Sequence, residues 1–426
     1  MKAQKELIEG IYDENVRRVE RALAAGAAVE GIPGVNITPL ILAASCGHLG
    51  IVNLLLKQGA NLETSPPRDS RDNDGALVVT RGTRALHAAA NAGNVDVLRA
   101  LLQAGAQPNA KNCRGWTPLM AACNLRPSAA QFCLVMVEVL LDAGAVPTLE
   151  NNLGRAALHF AAQTGADDAI EVLVAAAPGK LNHVDEEGIT PLSAAAIEGH
   201  ESSVRLLLSL GASDRGACMD NNWQSSLELA AQHGHEGVAA VLLDLGLEEV
   251  GGAEVVCAAM VRAIKHGHPR ILDMLLGIDG EEMRARWANV ATSAGYPVLM
   301  FAAVGCCLTA TSVLLAGGAD ERVYFNNGVL STSEIAFSVF GKDDRDEAKE
   351  AAIVRMLERG PAFRARSCCW PVQASSVLGI ATTALAPTGE EVTPNVPLGV
   401  RIFRPNNHSF FTSRMVRYAQ KRLGKT

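Results

Sequence analysis

Residues 230–243 read AAQHGHEGVAAVLL, and residues 263–276 read AIKHGHPRILDMLL. Two His-Gly-His triplets raise the question of a metal site, because His233, His235, His266 and His268 carry four imidazoles. Zinc needs such ligands converging at about 2 Å from one ion. The spacing points elsewhere. His233 and His266 lie 33 residues apart, and so do His235 and His268. A fixed period of this size marks a stacked-repeat architecture, in which each unit is one supersecondary element.

Outward from this pair the pattern returns as a Thr/Ser-Pro-Leu-like opening, an Ala pair, a Gly-His-like turn and a Val/Leu run ending in Gly-Ala. TPLILAASCGHLGIVNLLLKQGA starts at Thr38, TRALHAAANAGNVDVLRALLQAGA at Thr83 and TPLMAACNLRP at Thr117. AALHFAAQTGADDAIEVLV starts at Ala156, TPLSAAAIEGHESSVRLLLSLGA at Thr190 and SSLELAAQHGHEGVAAVLL at Ser225. Weaker copies follow as AMVRAIKHGHPRILDMLL, PVLMFAAVGCCLTATSVLLAGGA and STSEIAF. The opening Leu falls at 40, 86, 119, 158, 192 and 227, with Met260, Leu299 and Ser333 in register. Each unit reads as a first helix of small apolar residues and a second helix bearing V-x-x-L-L. Gly-Ala ends the second helix, since glycine enters the left-handed region without steric cost. One such pair cannot bury its apolar face alone, so neighbours must stack into a continuous core.

Residues 3–360 resemble the ankyrin repeat family, whose 33-residue unit opens T-P-L-H-x-A. The resemblance implies an all-α solenoid of stacked helix-turn-helix units with hairpin-like loops. ELIEGIYDENVRRVERALAAGA resembles an N-terminal repeat, which makes residues 1–35 a capping unit. About nine further repeats then fill 36–360. The resemblance also implies structural roles for His48, His200, His235 and His268 at the inter-helix turn, and for His87 and His159 in the T-P-L-H position. His233 and His266 occupy the first-helix position that lines the concave groove. Packed helices lie about 10 Å apart, too far for both to hold one ion, so no metal is expected. As groove residues they offer a route to pH-sensitive binding.

The family's loop tips and exposed first-helix positions contact partners. Carried over, these are Arg114 and Trp116 beside Gly115, Leu153 and Arg155 beside Gly154, and Glu186, Glu187 and Ile189 around Gly188. Asn221, Asn222 and Gln224 surround Trp223, which replaces the tip glycine and would be strained at positive φ. Trp and Arg are favoured at interface hot spots, which singles out Trp116, Arg114 and Arg155. Trp116 has a second reading, as a cover for a neighbouring loop. The period breaks at 64–82, 124–132, 277–295 and 341–350, either as surface loops or as part of the binding face. In the first, Pro66, Pro67 and DSRDND favour an extended finger over another helix.

Composition agrees with a soluble array of many similar contacts: 48% hydrophobic, 19% charged and only 4% aromatic. Net charge is −7, yet residues 361–426 hold nine Lys/Arg against Glu390 and Glu391. This basic tail is expected to be partly irregular or docked, with a helix at 409–423. SFFTSRMVRYAQKRLGKT sets Phe410, Phe411, Met415, Tyr418 and Leu423 among Arg414, Arg417, Lys421 and Arg422. Such a helix suits an anionic membrane, a partner groove, nucleic-acid phosphates or the acidic array itself. The opening MKAQKELIEGIYDENVRR reads as an amphipathic helix, not a signal peptide. Ten cysteines without a CxxC pair suggest a reducing compartment, the cytoplasm, with the nucleus as alternative. No GxGxxG after a strand, GxxxxGK[ST], GxSxG or HExxH is present. The expectation is a non-enzymatic, cofactor-free scaffold or adaptor that binds a protein partner. The alternative is an adaptor drawn to membrane or nucleic acid by its basic tail.

Overall fold

The computed structural model describes residues 2–30, 37–66, 70–71, 77–125, 131–213, 224–246, 251–280, 283–292, 295–305, 307–320, 322–325 and 328–331. The chain divides into two units, Met1–Asp244 and Leu245–Thr426. The predicted last repeat beyond Ser331, the 341–350 insert and the basic tail lie outside the described residues.

The first unit holds seven helix pairs among its described residues: α1 (Lys2–Tyr12) with α2 (Val16–Ala24), α3 (Pro39–Cys46) with α4 (Leu49–Lys57), α5 (Ala85–Ala92) with α6 (Val95–Gln103), α7 (Pro118–Cys123) with α8 (Cys133–Asp142), α9 (Ala157–Thr164) with α10 (Asp167–Ala176), α11 (Pro191–Glu198) with α12 (Glu201–Ser209), and α13 (Ser226–His233) with α14 (Glu236–Leu243). First helices pack on first helices from α1 to α13, and second helices form a parallel row. The core runs between these rows. Leu40, Leu86, Leu119, Leu158, Leu192 and Leu227, which mark the sequence period, are all buried. So are the paired alanines behind them, from Ala43 and Ala44 to Ala230 and Ala231. Their short side chains let adjacent helices approach closely, as the period implies.

Local chemistry sets the helix ends. Thr38, Thr117, Thr190 and Ser225 each accept a hydrogen bond from the N–H three residues on, at 3.2, 3.4, 3.1 and 3.2 Å. Pro39, Pro118 and Pro191 follow at the first helical position, where no N–H is missed. In the unit that opens at Thr83 the cap position, two residues before Leu86, is held by Arg84, and α5 starts one residue before the leucine, as α3 does. Helices α3, α5, α9, α11 and α13 close on glycine. Gly199 has φ +81°, and a Cβ there would collide with the His235 ring.

Within the first insert, β1 (Ser70–Arg71) pairs antiparallel with β2 (Leu77–Val79). The second unit contains α15 (Gly252–His266) with α16 (Pro269–Leu276), then α17 (Arg284–Ala288), and α18 (Val298–Val304) with α19 (Leu308–Ala316). Its first helices α15 and α18 pack together, as do α16 and α19. Helix α17 lies inside the 277–295 insert, with Trp287 buried and its indole N–H donating to Asp279 at 2.8 Å. An antiparallel hairpin, β3 (Arg322–Phe325) and β4 (Gly328–Ser331), follows α19.

Candidate functional site

The loop tips of the first unit share one construction. Asn112, Asn151 and Asp185 stand three residues before Gly115, Gly154 and Gly188. Asn112 Oδ1 accepts from the backbone N–H of Arg114 at 2.9 Å and of Trp116 at 3.0 Å. Asn151 Oδ1 does the same for Leu153 and Arg155, both at 2.9 Å. Asp185 Oδ1 does so for Glu187 and Ile189, at 2.8 and 2.7 Å. Each glycine takes positive φ, from +73° to +85°, to close the turn. Successive tips are then joined by backbone bonds: Cys113 N–H to Arg81 O at 3.0 Å, Asn152 N–H to Arg114 O at 3.1 Å, and Glu186 N–H to Leu153 O at 3.0 Å. The result is a row of turns locked internally and to each other.

The predicted partner residues divide on this frame. Arg114, Leu153, Glu186 and Glu187 are exposed, Leu153 to 45%. Arg155 is half-buried and committed to its neighbour: its Nε donates to Asp185 at 2.6 Å and its guanidinium to Glu187 at 2.7 Å. The Asp185 side chain is fully buried, so this ion pair braces one tip against the next. Trp116 packs on Phe160 of α9, ring centroids 4.4 Å apart, which is the cover for a neighbouring element. Ile189 and Gln224 are half-buried, while Asn221, Asn222 and Trp223 lie outside the described residues. His233 is exposed at the end of α13 and stacks on His235 at 6.2 Å; His266 is exposed at the end of α15, in the second unit. The organising Asn112, Asn151 and Asp185 were missed by the sequence reading. Their signal was an Asn or Asp three residues before each tip glycine.

His87, His159, His200 and His235 are structural clamps. His200 Nε2 meets Gln163 O at 3.0 Å and His235 Nε2 meets Ile197 O at 2.7 Å, each reaching the end of the preceding first helix. Asn94 does this work three joints before His200, donating to Ala44 O at 2.8 Å. His48 instead approaches Glu14, at 3.5 Å. His87 and His159 are buried. In each, Nδ1 accepts the helix-cap N–H, of Arg84 at 3.3 Å and of Ala156 at 3.2 Å. Nε2 then donates to a carbonyl in the next tip, Trp116 O at 2.9 Å or His183 O at 3.2 Å. Both rings are therefore neutral, and burial lowers both pKa values to about 4. Beside His159, Glu150 binds Lys180 and His183, and the Lys180 hydrogen bond holds its carboxyl below the usual range.

Among the described residues, no three His, Cys, Asp or Glu side chains converge as metal ligands. Among the same residues, no helix is long and apolar enough to cross a membrane. Cys123 and Cys133 are buried at the facing ends of α7 and α8, where their mutual hydrogen bond raises the Cys123 pKa well above the usual thiol value and lowers that of Cys133.

Comparison with known proteins agrees with this architecture. A single ankyrin repeat matches residues 36–65, and a three-copy ankyrin model matches 66–135, 86–182, 127–216 and 158–251. Together these span 36–251, half of the chain, and the chain belongs to the ankyrin-repeat family. A putative ankyrin repeat-containing protein of Treponema pallidum is 30% identical over 172 residues, covering 35% of this chain and 55% of that protein. A probable E3 ubiquitin-protein ligase of Oryza sativa is 32% identical over 157 residues, covering 30% of this chain and 31% of the relative. Ankyrin repeat domain-containing protein 63 of Homo sapiens is 36% identical over 132 residues, covering 30% and 33%. The chain thus spans between about a third and just over half of the length of these relatives. The family is generally non-enzymatic, and its repeats serve protein–protein interaction.

Proposed function

We propose that this chain is a non-enzymatic scaffold or adaptor that holds a protein partner against the loop tips and concave face of its array. The locked row of tips carries this reading. Asn112, Asn151 and Asp185 fix the backbone, while Arg114, Leu153 and Glu186 project from it into solvent. Side chains on a fixed frame lose little backbone freedom on binding, so more of the contact energy appears as affinity. The thiols fit a reducing compartment, which makes the cytoplasm, or alternatively the nucleus, the proposed location.

The test is a cross-linking pull-down with the full chain and with Leu153→Asp. A partner held by the wild type and lost by a variant of unchanged unfolding temperature supports the tip surface. A partner held equally by both refutes it. The balance of +7 over residues 361–426 supports a second role for the tail. Salt-sensitive binding to anionic vesicles or duplex oligonucleotide, abolished by removing 361–426, would establish that role; unchanged binding would dismiss it.

A further inference from the structure

The side chains of successive tips fall into two parallel rows. The residues just before the tip glycines are Arg81, Arg114, Leu153 and Glu187, and those one position earlier are Thr80, Cys113, Asn152 and Glu186. Backbone bonds set the register. The carbonyl of Arg81, Arg114 or Leu153 accepts from the N–H of Cys113, Asn152 or Glu186 in the following tip, at 3.0 to 3.1 Å. Because the same bond recurs at each joint, the rows repeat by translation. Along them the chemistry changes from guanidinium, through an exposed leucine, to paired carboxylates.

The two poles do not cancel each other. Arg114 and Glu186 are two repeats apart, roughly 20 Å at about 10 Å per packed helix. That exceeds the Debye length of about 8 Å at physiological salt. Arg155 draws on Glu187 from within the array, but Glu186 is exposed alongside. From Arg81 to Glu187 is three repeats, roughly 30 Å, which an extended chain rising about 3.3 Å per residue covers in about nine residues.

We propose that these rows form a docking strip for an extended protein segment of about nine residues with a fixed order of charge: acidic side chains over Arg81 and Arg114, an apolar side chain on Leu153, and basic side chains over Glu186 and Glu187. This rests on the binding role proposed above and adds the chemistry of the partner. Charge complementarity selects the segment, and the leucine between the poles fixes its register.

The test is a displayed library of random twelve-residue peptides panned against the full chain at low salt, then against Arg114→Glu, Glu186→Lys and Leu153→Asp, each checked for unchanged thermal unfolding. Wild type should enrich peptides acidic in one half, basic in the other and apolar between. Arg114→Glu should move the pool toward basic peptides, and Glu186→Lys toward acidic ones. A chosen wild-type peptide should bind about fivefold more weakly to each charge variant, the upper range for an exposed ion pair. Enriched peptides without charge order, or unmoved by both charge variants, would overturn the proposal. If such peptides still depend on Leu153, the tips remain the binding surface and only the charge order falls. If no peptide enriches, the strip falls, and the pull-down with Leu153→Asp decides the wider reading by itself.

Discussion

Acid should loosen this array through two buried imidazoles. His87 and His159 have pKa values of about 4 in the folded chain against an ordinary 6.5. Folding therefore favours their neutral forms, and the unfolded chain binds protons first as pH falls. Stability is intact above pH 6.5 and is lost as pH drops from there towards 4. At pH 5 the difference amounts to about 2 kcal/mol for each ring, and about 4 kcal/mol for both if they act independently. Ser193 suggests the control. At the equivalent place in α11 its hydroxyl accepts the Thr190 N–H at 2.7 Å and carries no titrating group. Urea unfolding of the wild type and of His87→Ser/His159→Ser at pH 7 and pH 5, followed by circular dichroism, isolates the effect. Carboxylates titrate in both proteins, so the difference between the two pH losses belongs to the imidazoles. The wild type should lose about 4 kcal/mol more than the double variant. Equal losses would show that these rings are not held neutral by burial.

The glycines at two helix ends separate backbone from contact effects. Gly211→Ala, at φ +90° with open space around the new Cβ, should cost about 1 kcal/mol. Gly199→Ala adds the collision with His235 and should lower the unfolding temperature by a clearly larger step; equal shifts would discount that contact. Arg155→Ala leaves the buried Asp185 carboxylate without its cation and should cost about 3 kcal/mol, whereas exposed Arg114→Ala should stay within about 0.5 kcal/mol. Denaturation midpoints that rank the two arginines the other way would refute the brace. Trp116→Ala should destabilise by about 2 kcal/mol through its lost packing on Phe160, seen in the same assay. A variant with wild-type stability would return Trp116 to the list of partner anchors.

Much of the fold was legible because a repeat states its own pattern several times. The leucine register from Leu40 to Leu227 marks the buried first helices, and the Thr-Pro pairs mark where those helices begin. Exposure at the tips was harder to judge. Arg155 and Trp116 have sequence positions like those of Arg114, yet their fates depend on residues about one repeat or more further on. Asp185 stands 30 positions after Arg155, and Phe160 stands 44 after Trp116. Position within the repeat shows where a side chain starts; the next repeat decides whether it is already occupied. The aspartate and asparagine turns are harder to read because the glycine only permits the bend, while the acceptor that holds it is one common polar residue three positions earlier.

The joints described above run in two directions. The side chains of His87, His159 and Arg155 donate from the earlier unit to the later. In the backbone bonds between tips and in the turn clamps, the later unit supplies the donor and the earlier one the acceptor: Cys113, Asn152 and Glu186 at the tips, and Asn94, His200 and His235 at the turns. As the polypeptide leaves the ribosome, each new pair of helices thus finds carbonyls already in place to receive it. Assembly from the first unit onward never leaves these donors waiting for a surface that has not yet been made.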